Sequence, residues 1–131
     1  GIILSVTVLL GLGGVERSRI HAEETGKFLS RIDPDYPGAL SVIVVPGTPL
    51  AEEVRKGTFV VPDPYMLLEE LAIMIKNTDV THTYFASNHA SNYLPVKAWL
   101  PEEKEKTLKA IEHVLKKRDP SLLRPEFMRA L

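Results

Sequence analysis

With 131 residues, 44% of them hydrophobic, the chain is long enough for one compact domain with a core and too short for two. Lys and Arg number 16 against 17 Asp and Glu, so bulk charge points to neither nucleic acid nor an anionic membrane surface as a partner. The absence of cysteine excludes disulfides, a thiolate nucleophile and any cysteine-held zinc or iron–sulfur cluster within these residues.

Residues 2 to 10, IILSVTVLL, are β-branched and almost continuously apolar, the pattern of a strand covered on both faces in a parallel sheet. The run is about half of what a bilayer span requires. No small-residue cleavage site follows it, so it reads as a buried strand and not as a signal segment, and a cytoplasmic protein without a membrane partner is expected. GLGG then turns the chain. From about Arg17 to Ile32, Ile20, Phe28 and Ile32 recur at multiples of four with Leu29 beside them, which predicts an amphipathic helix stopped by DPDYPG.

ALSVIVV at 39 to 45 is the second expected buried strand. PGTP ends it, Pro49 opens a short helix over LAEEVRKG, and Gly57 is its C-terminal cap. After the extended link TFVVPDP, the segment PYMLLEELAIMIKNT reads as a helix with Leu68, Leu71 and Ile75 on one face. VTHTYFAS, 80 to 87, is the third expected strand. The loop NHASNYLPVKAW leads to Pro101, the expected first residue of a helix over PEEKEKTLKAIEHVLKKR with Leu108, Ile111 and Leu115 on its buried face and charges that complement the helix dipole. RPEFMRAL is expected to form a helical turn or two.

The resulting order, β-α-β-α-α-β-α, is a parallel series of βα units in an α/β fold, with a helix between each pair of strands and all three strand-end loops on one edge of the sheet. Three strands fit either a small layered domain or an arc of a barrel. An arc leaves two unpaired edges and predicts self-association.

The strand-end loops carry the polar chemistry. In GLGG, Gly11, Leu12, Gly13 and Gly14 allow backbone to approach a ligand closely, against the plainer reading of a tight strand-to-helix turn. The stretch fails as a dinucleotide fingerprint because Glu16 stands at the third glycine. TGK at 25 to 27 fails as a phosphate loop because Phe28 replaces Ser or Thr and His21 the first Gly. PGTP places Thr48 and free amides at a strand end, against the plainer reading of a stiff turn. SNHASNY gathers Ser87, Asn88, His89, Ser91, Asn92 and Tyr93 within seven residues, a density of hydrogen-bonding groups that a mere connection does not need, against the plainer reading of a loop whose polar groups satisfy one another. His82 and His89 lie seven apart without a carboxylate, which is a poor metal set. Asn and Ser neighbours suit His89 to recognition of a polar ligand better than to proton transfer, and no residue is assigned a catalytic role. His21 and His113 read as surface helix residues. Trp99 and Tyr93 have rings able to stack on an adenine, against the plainer reading of packing.

The stretch SVTVLLGLGGVERS, a helix, then DPDYPGALSVIVVPGTPL followed by AEEVRKG resembles the later strands of radical SAM enzymes of the coproporphyrinogen-oxidase-like and methylthiotransferase-like type, and SNHASNYLP resembles the last loop of a group of such proteins. PGTPL is the most specific element. The resemblance implies a partial (βα)6 barrel that binds S-adenosylmethionine on a [4Fe-4S] cluster held by CxxxCxxC and generates a 5′-deoxyadenosyl radical. By position, the family's adenine-supporting GxIxGxxE falls on Leu9, Gly11, Gly13 and Glu16, of which the second glycine and the glutamate match. The backbone that backs the adenine corresponds to Val45, Pro46 and Gly47, beside Thr48, and SNHASNY faces the substrate or the ribose.

The chain departs from the family in having no CxxxCxxC and about three of six strands. Residues 1–131 are therefore expected to be a single domain, the C-terminal half of such a barrel, inactive alone and itself holding no cofactor. The start at Gly1 without a methionine carries the same expectation of an excised piece. Partners are then the missing N-terminal half or further copies of the chain. Two other readings stay open: a stand-alone α/β module for a nucleotide-like ligand, and a non-catalytic half-barrel that dimerises.

Overall fold

The computed structural model describes residues 1–131 in the order β1 (Ser5–Leu10), α1 (Ser18–Ile32), β2 (Tyr36–Ser41), α2 (Pro49–Lys56), α3 (Pro64–Lys76), β3 (Thr83–Ser87), β4 (Val96–Leu100) and α4 (Lys104–Lys117), with 3-10 turns at Pro120–Leu122 and Glu126–Met128. The sheet follows chain order, β1-β2-β3-β4. Its first three strands are parallel, and β4 runs antiparallel to β3. No helix is long and apolar enough to cross a membrane.

The expected α/β class and the parallel βα units are present, with four corrections. First, the sheet has a fourth strand over VKAWL, where the sequence predicts a loop. In β4, Val96, Ala98 and Leu100 are buried while Lys97 and Trp99 are exposed, the alternation of a strand with one covered face. The link from β3 spans only residues 88–95, too short for a parallel crossover, so the chain returns antiparallel. Second, β2 is Tyr36–Ser41 and not 39–45. The carbonyl of Leu4 accepts the amides of Asp35 and Tyr36 at 3.0 and 3.1 Å, and that of Leu10 accepts Val42 at 2.9 Å. Beyond Leu10 the first strand has turned away, so residues 43–46 find no ladder. Pro37 is tolerated because its nitrogen falls on the β3 side, where pairing is confined to Gly38 and Ala86.

Third, β1 is covered on one face only. Val6, Val8 and Leu10 turn toward the helices, whereas Leu9 on the other face is 37% exposed and Ile2 and Ile3 ahead of the strand are exposed as well. The same holds across the sheet. Ala39, Phe85, Ala98 and Leu100 pack under α1, α3 and α4 in one core, while Tyr36, Tyr84 and Trp99 lie on an uncovered face. The fold is a two-layer sandwich of one helical layer on one sheet.

Fourth, the buried stripes of α1 and α4 are rotated from those expected. In α1, Ala22, Gly26 and Leu29 are buried, and Ile20 and Phe28 are about half exposed. The cause is close contact with α3: a Cβ at Gly26 would lie 2.5 Å from the carbonyl oxygen of Met74, so the helices meet where α1 has no side chain. In α4, which begins at Lys104 and not at Pro101, Thr107, Ile111 and Val114 are buried and Leu108 and Leu115 only partly so.

The central helix α3 follows expectation. Asp63 caps its N-terminus by accepting from the Met66 amide at 2.9 Å, and Leu68, Leu71 and Ile75 are buried with Leu67 and Met74. Each such side chain contributes about 1.5–3 kcal/mol on burial. Helix α2 also starts and stops as its residues dictate: Thr48 caps it, Pro49 opens it, and Gly57 ends it in the left-handed region at φ 78°.

Candidate functional site: the three strand-end loops

Because β1, β2 and β3 are parallel, GLGG, PGTP and SNHASNY all leave the same edge of the sheet. They differ in how much of their polar capacity the chain itself consumes.

The GLGG turn is locked from below by Glu70, a fully buried carboxylate of α3 whose Oε2 accepts the Gly11 amide at 2.7 Å while Oε1 has no partner. Burial pushes the Glu70 carboxyl above its usual range, against the opposing pull of Ser18, the Gly11 amide and His21. Gly11 sits at φ 91°, and a Cβ there would approach Val42 Cγ1 to 2.6 Å and Leu67 Cδ2 to 3.0 Å, so only glycine fits. Gly14 closes the turn by donating to the Gly11 carbonyl at 3.0 Å. The amides of Leu12 and Gly13 make no hydrogen bond within the chain. Leu12, Gly13 and Glu16 line a groove of about 810 Å³ that continues along α1 past Ile20, His21 and Phe28 to Phe59. His21, expected to be a plain surface residue, donates from Nε2 to the Leu9 carbonyl at 2.7 Å. That carbonyl faces away from β2, so His21 caps the outer edge of the sheet.

In the second loop Val45, Pro46 and Gly47 are exposed, and the amides of Val45 and Gly47 are unpaired within the chain. Thr48 is otherwise engaged. Its Oγ donates to the Val45 carbonyl at 2.7 Å and accepts the Ala51 amide at 3.2 Å, so the hydroxyl is occupied in capping α2.

SNHASNY is mostly turned inward. Ser91 Oγ accepts the amide of Ser41 at 3.0 Å, and Asn92 Nδ2 donates to Ser41 Oγ at 3.1 Å while its Oδ1 accepts the His89 amide at 2.9 Å. Ser87 is buried with its hydroxyl unpartnered, in a pocket of about 10 Å³ shared with Ser41, Asn92 and Tyr93. Of the five candidates here, Ser91 and Asn92 are spent on hydrogen bonds within the chain, Ser87 is buried, Asn88 is exposed, and His89 is half-buried.

Two arginines that the sequence did not mark hold this loop. Arg124 donates to the carbonyls of His89 and Asn92 at 2.8 and 3.0 Å. Arg129, its side chain 7% exposed, donates to the carbonyls of Ser91 and Val42 at 2.8 and 3.1 Å and to Glu126 at 2.7 Å, with its guanidinium 4.1 Å over the Tyr93 ring. It thereby ties the loop after β2 to the loop after β3. Burial first, then the hydrogen bond to Glu126, pushes the Tyr93 phenol up to about 12. Nothing in the spacing of Arg124 and Arg129 announces this clasp. Glu70 was legible: a charged residue on the 67, 70, 71, 74 stripe of an apolar helix has to be paired or functional.

Trp99 is not part of this edge. It pairs across from Tyr84 near the start of β3, and stacks on His82 at 4.5 Å, at the end of the sheet away from the three loops. His113 is exposed on α4, and no group of three or more His, Asp or Glu side chains is gathered for a metal ion. Comparison with family models, curated proteins and solved structures gives no match to this chain.

Proposed function

We propose that this chain is the C-terminal part of a (βα) barrel of the radical SAM type, inactive alone, whose strand-end loops back the adenosine of S-adenosylmethionine when the barrel is completed. The observation that carries the reading is the one-sided sheet. Helices cover one face, the other face is open as a barrel lumen would be, and the β1 edge is unpaired beside an apolar groove. The two sheet edges are unlike. β4 is short, bracketed by Pro95 and Pro101 and marked by the exposed Lys97, which guards it against pairing; β1 and the residues before it carry no charge. Further strands of the barrel would join at β1. A cytoplasmic setting belongs to the same reading.

The unpaired amides of Leu12, Gly13, Val45 and Gly47 are the groups fitted to an adenine or ribose, and Glu16 shares the groove with Leu12 and Gly13. An iron–sulfur cluster does not fit these residues, which include no thiolate; its ligands would come from outside them, and no step is assigned through it. When bound in the complete protein, the cofactor would supply the radical chemistry. This chain would contribute orientation.

The test has two parts. The reading frame ahead of Gly1 should encode CxxxCxxC; a frame without it removes the family assignment. Chemical-shift mapping with 5′-deoxyadenosine should perturb Gly11–Gly14 and Val45–Gly47, with affinity near the millimolar range, worth about 4 kcal/mol. Shifts confined to α4 would remove the site. The uncharged β1 edge also favours the dimerising half-barrel as the form of the isolated chain, with a second copy seated where the missing strands belong.

A further inference from the structure

We propose that His89 is a fixed hydrogen-bond donor, through Nε2–H, for an anionic oxygen of a ligand bound at the strand-end edge, and is not a proton-transfer group. The inference rests on the proposed site but not on the chemistry of the barrel.

The argument begins at Ser91. Its backbone N–H donates to His89 Nδ1 at 3.1 Å, and its hydroxyl lies 3.0 Å from the same nitrogen. An N–H can only donate, so Nδ1 must be the acceptor and the neutral ring carries its proton on Nε2. The hydroxyl agrees. Ser91 Oγ accepts the Ser41 amide and has its own proton free for Nδ1. Moving the ring proton to Nδ1 would break this arrangement. Nε2 makes no hydrogen bond within the chain, on a residue that is only half-buried.

The ring is also held in place. The His89 amide donates to Asn92 Oδ1, and its carbonyl accepts from Arg124 at 2.8 Å and from the Asn92 amide at 3.0 Å. All of its backbone groups and one ring nitrogen are therefore spent on position, which leaves one donor facing outward from a rigid loop. The charge of the ligand follows from Arg124. Its guanidinium bonds only carbonyls and has no carboxylate partner, in contrast to Arg129, so the loop carries a positive charge that the chain does not neutralise. No acidic residue lies between Ser87 and Leu94. A donor beside an unneutralised cation fits a carboxylate or phosphate oxygen.

Long-range proton–nitrogen spectra of the intact chain, labelled with [15N]histidine and recorded above the titration range of imidazole, read the tautomer directly. His89, assigned by the signal lost in His89→Asn, should show a pyridine-like Nδ1 and a pyrrole-like Nε2; the reverse pattern, or an average of the two, overturns the proposal. Titration with acetate and with inorganic phosphate should shift the Nε2 signal of His89 and level off, with no such plateau at the exposed His113. The stronger of the two arms identifies carboxylate or phosphate. A non-saturating response at His89, or the same response at both histidines, overturns the donor role. If 5′-deoxyadenosine fails to bind while these spectra come out as expected, the adenosine reading falls and the anion site stands.

Discussion

Gly11 and Glu70 form a pair in which each residue makes sense only beside the other. Glycine brings the backbone of the turn close enough for its amide to reach a buried carboxylate, and the carboxylate anchors a turn whose three glycines offer no side chain of their own. Gly11→Ala should cost about 1–3 kcal/mol, because the new Cβ meets Val42 and Leu67 at a positive φ, and a shift in the urea midpoint measures it. Glu70→Gln keeps an oxygen for the Gly11 amide and removes the ionisation. Since burial raises the native carboxyl above 4.5, the folded protein holds a proton that the unfolded chain releases. Wild-type stability from this group is complete below pH 4.5 and is lost as pH rises through the raised native value. The margin of Glu70→Gln over wild type should therefore widen with pH from 4.5 upward in chemical denaturation; a margin that narrows would contradict the raised value.

Among the elements, the two 3-10 turns at the C-terminus belong to a segment held largely by polar contacts, with Leu123 between them packed half-buried against the core. Neither contains a buried residue, and Phe127 is 87% exposed, yet Arg124 and Arg129 gather carbonyls from both loops. Arg129→Ala removes the donor from the carbonyls of Ser91 and Val42, at about 1–3 kcal/mol for each buried group left unpaired. Hydrogen exchange of residues 88–93 should quicken while the α3 amides stay protected. Equal acceleration in α3 would mean that the clasp is part of the global fold and not a local fastening. Helix α1 illustrates the opposite case, since its Ile20 and Phe28 are apolar in pattern but about half exposed at the groove. Their period is helical, and a helix forms. The face they serve is not filled by this chain.

For the whole molecule, the unpaired β1 edge dominates. The bonds of Leu4 and Leu10 to β2 leave the main-chain groups of Ser5, Thr7 and Leu9 directed outward, with the Leu9 carbonyl already taken by His21. Ladder growth is thus open at Ser5 and Thr7 and blocked at Leu9. The isolated chain should associate with concentration in light scattering, and Thr7→Lys should reduce that association by placing a charge on the open edge. Lys97→Thr on the opposite edge should change it little at first pairing. Association unaffected by Thr7→Lys would move the interface away from β1.

Local chemistry written in single residues determined a large part of this protein: the caps Asp63 and Thr48, the stop at Gly57, the apolar stripe of α3, and the three polar loops at the ends of parallel strands. These are short-range effects, complete within one turn or one loop, and they survive whatever packs around them. What only the tertiary structure decided depends on partners distant in the chain. β2 ends at Ser41 because β1 ends at Leu10; VKAWL is a strand because Thr83–Ser87 offers it an edge; and Thr48, Ser91 and Asn92 are withdrawn from the site because a helix end, Ser41 and His89 claim their hydrogen bonds. A polar residue in a loop advertises a capacity to bond. Which group satisfies that capacity, ligand or chain, is set by what folding brings within about 3 Å of it.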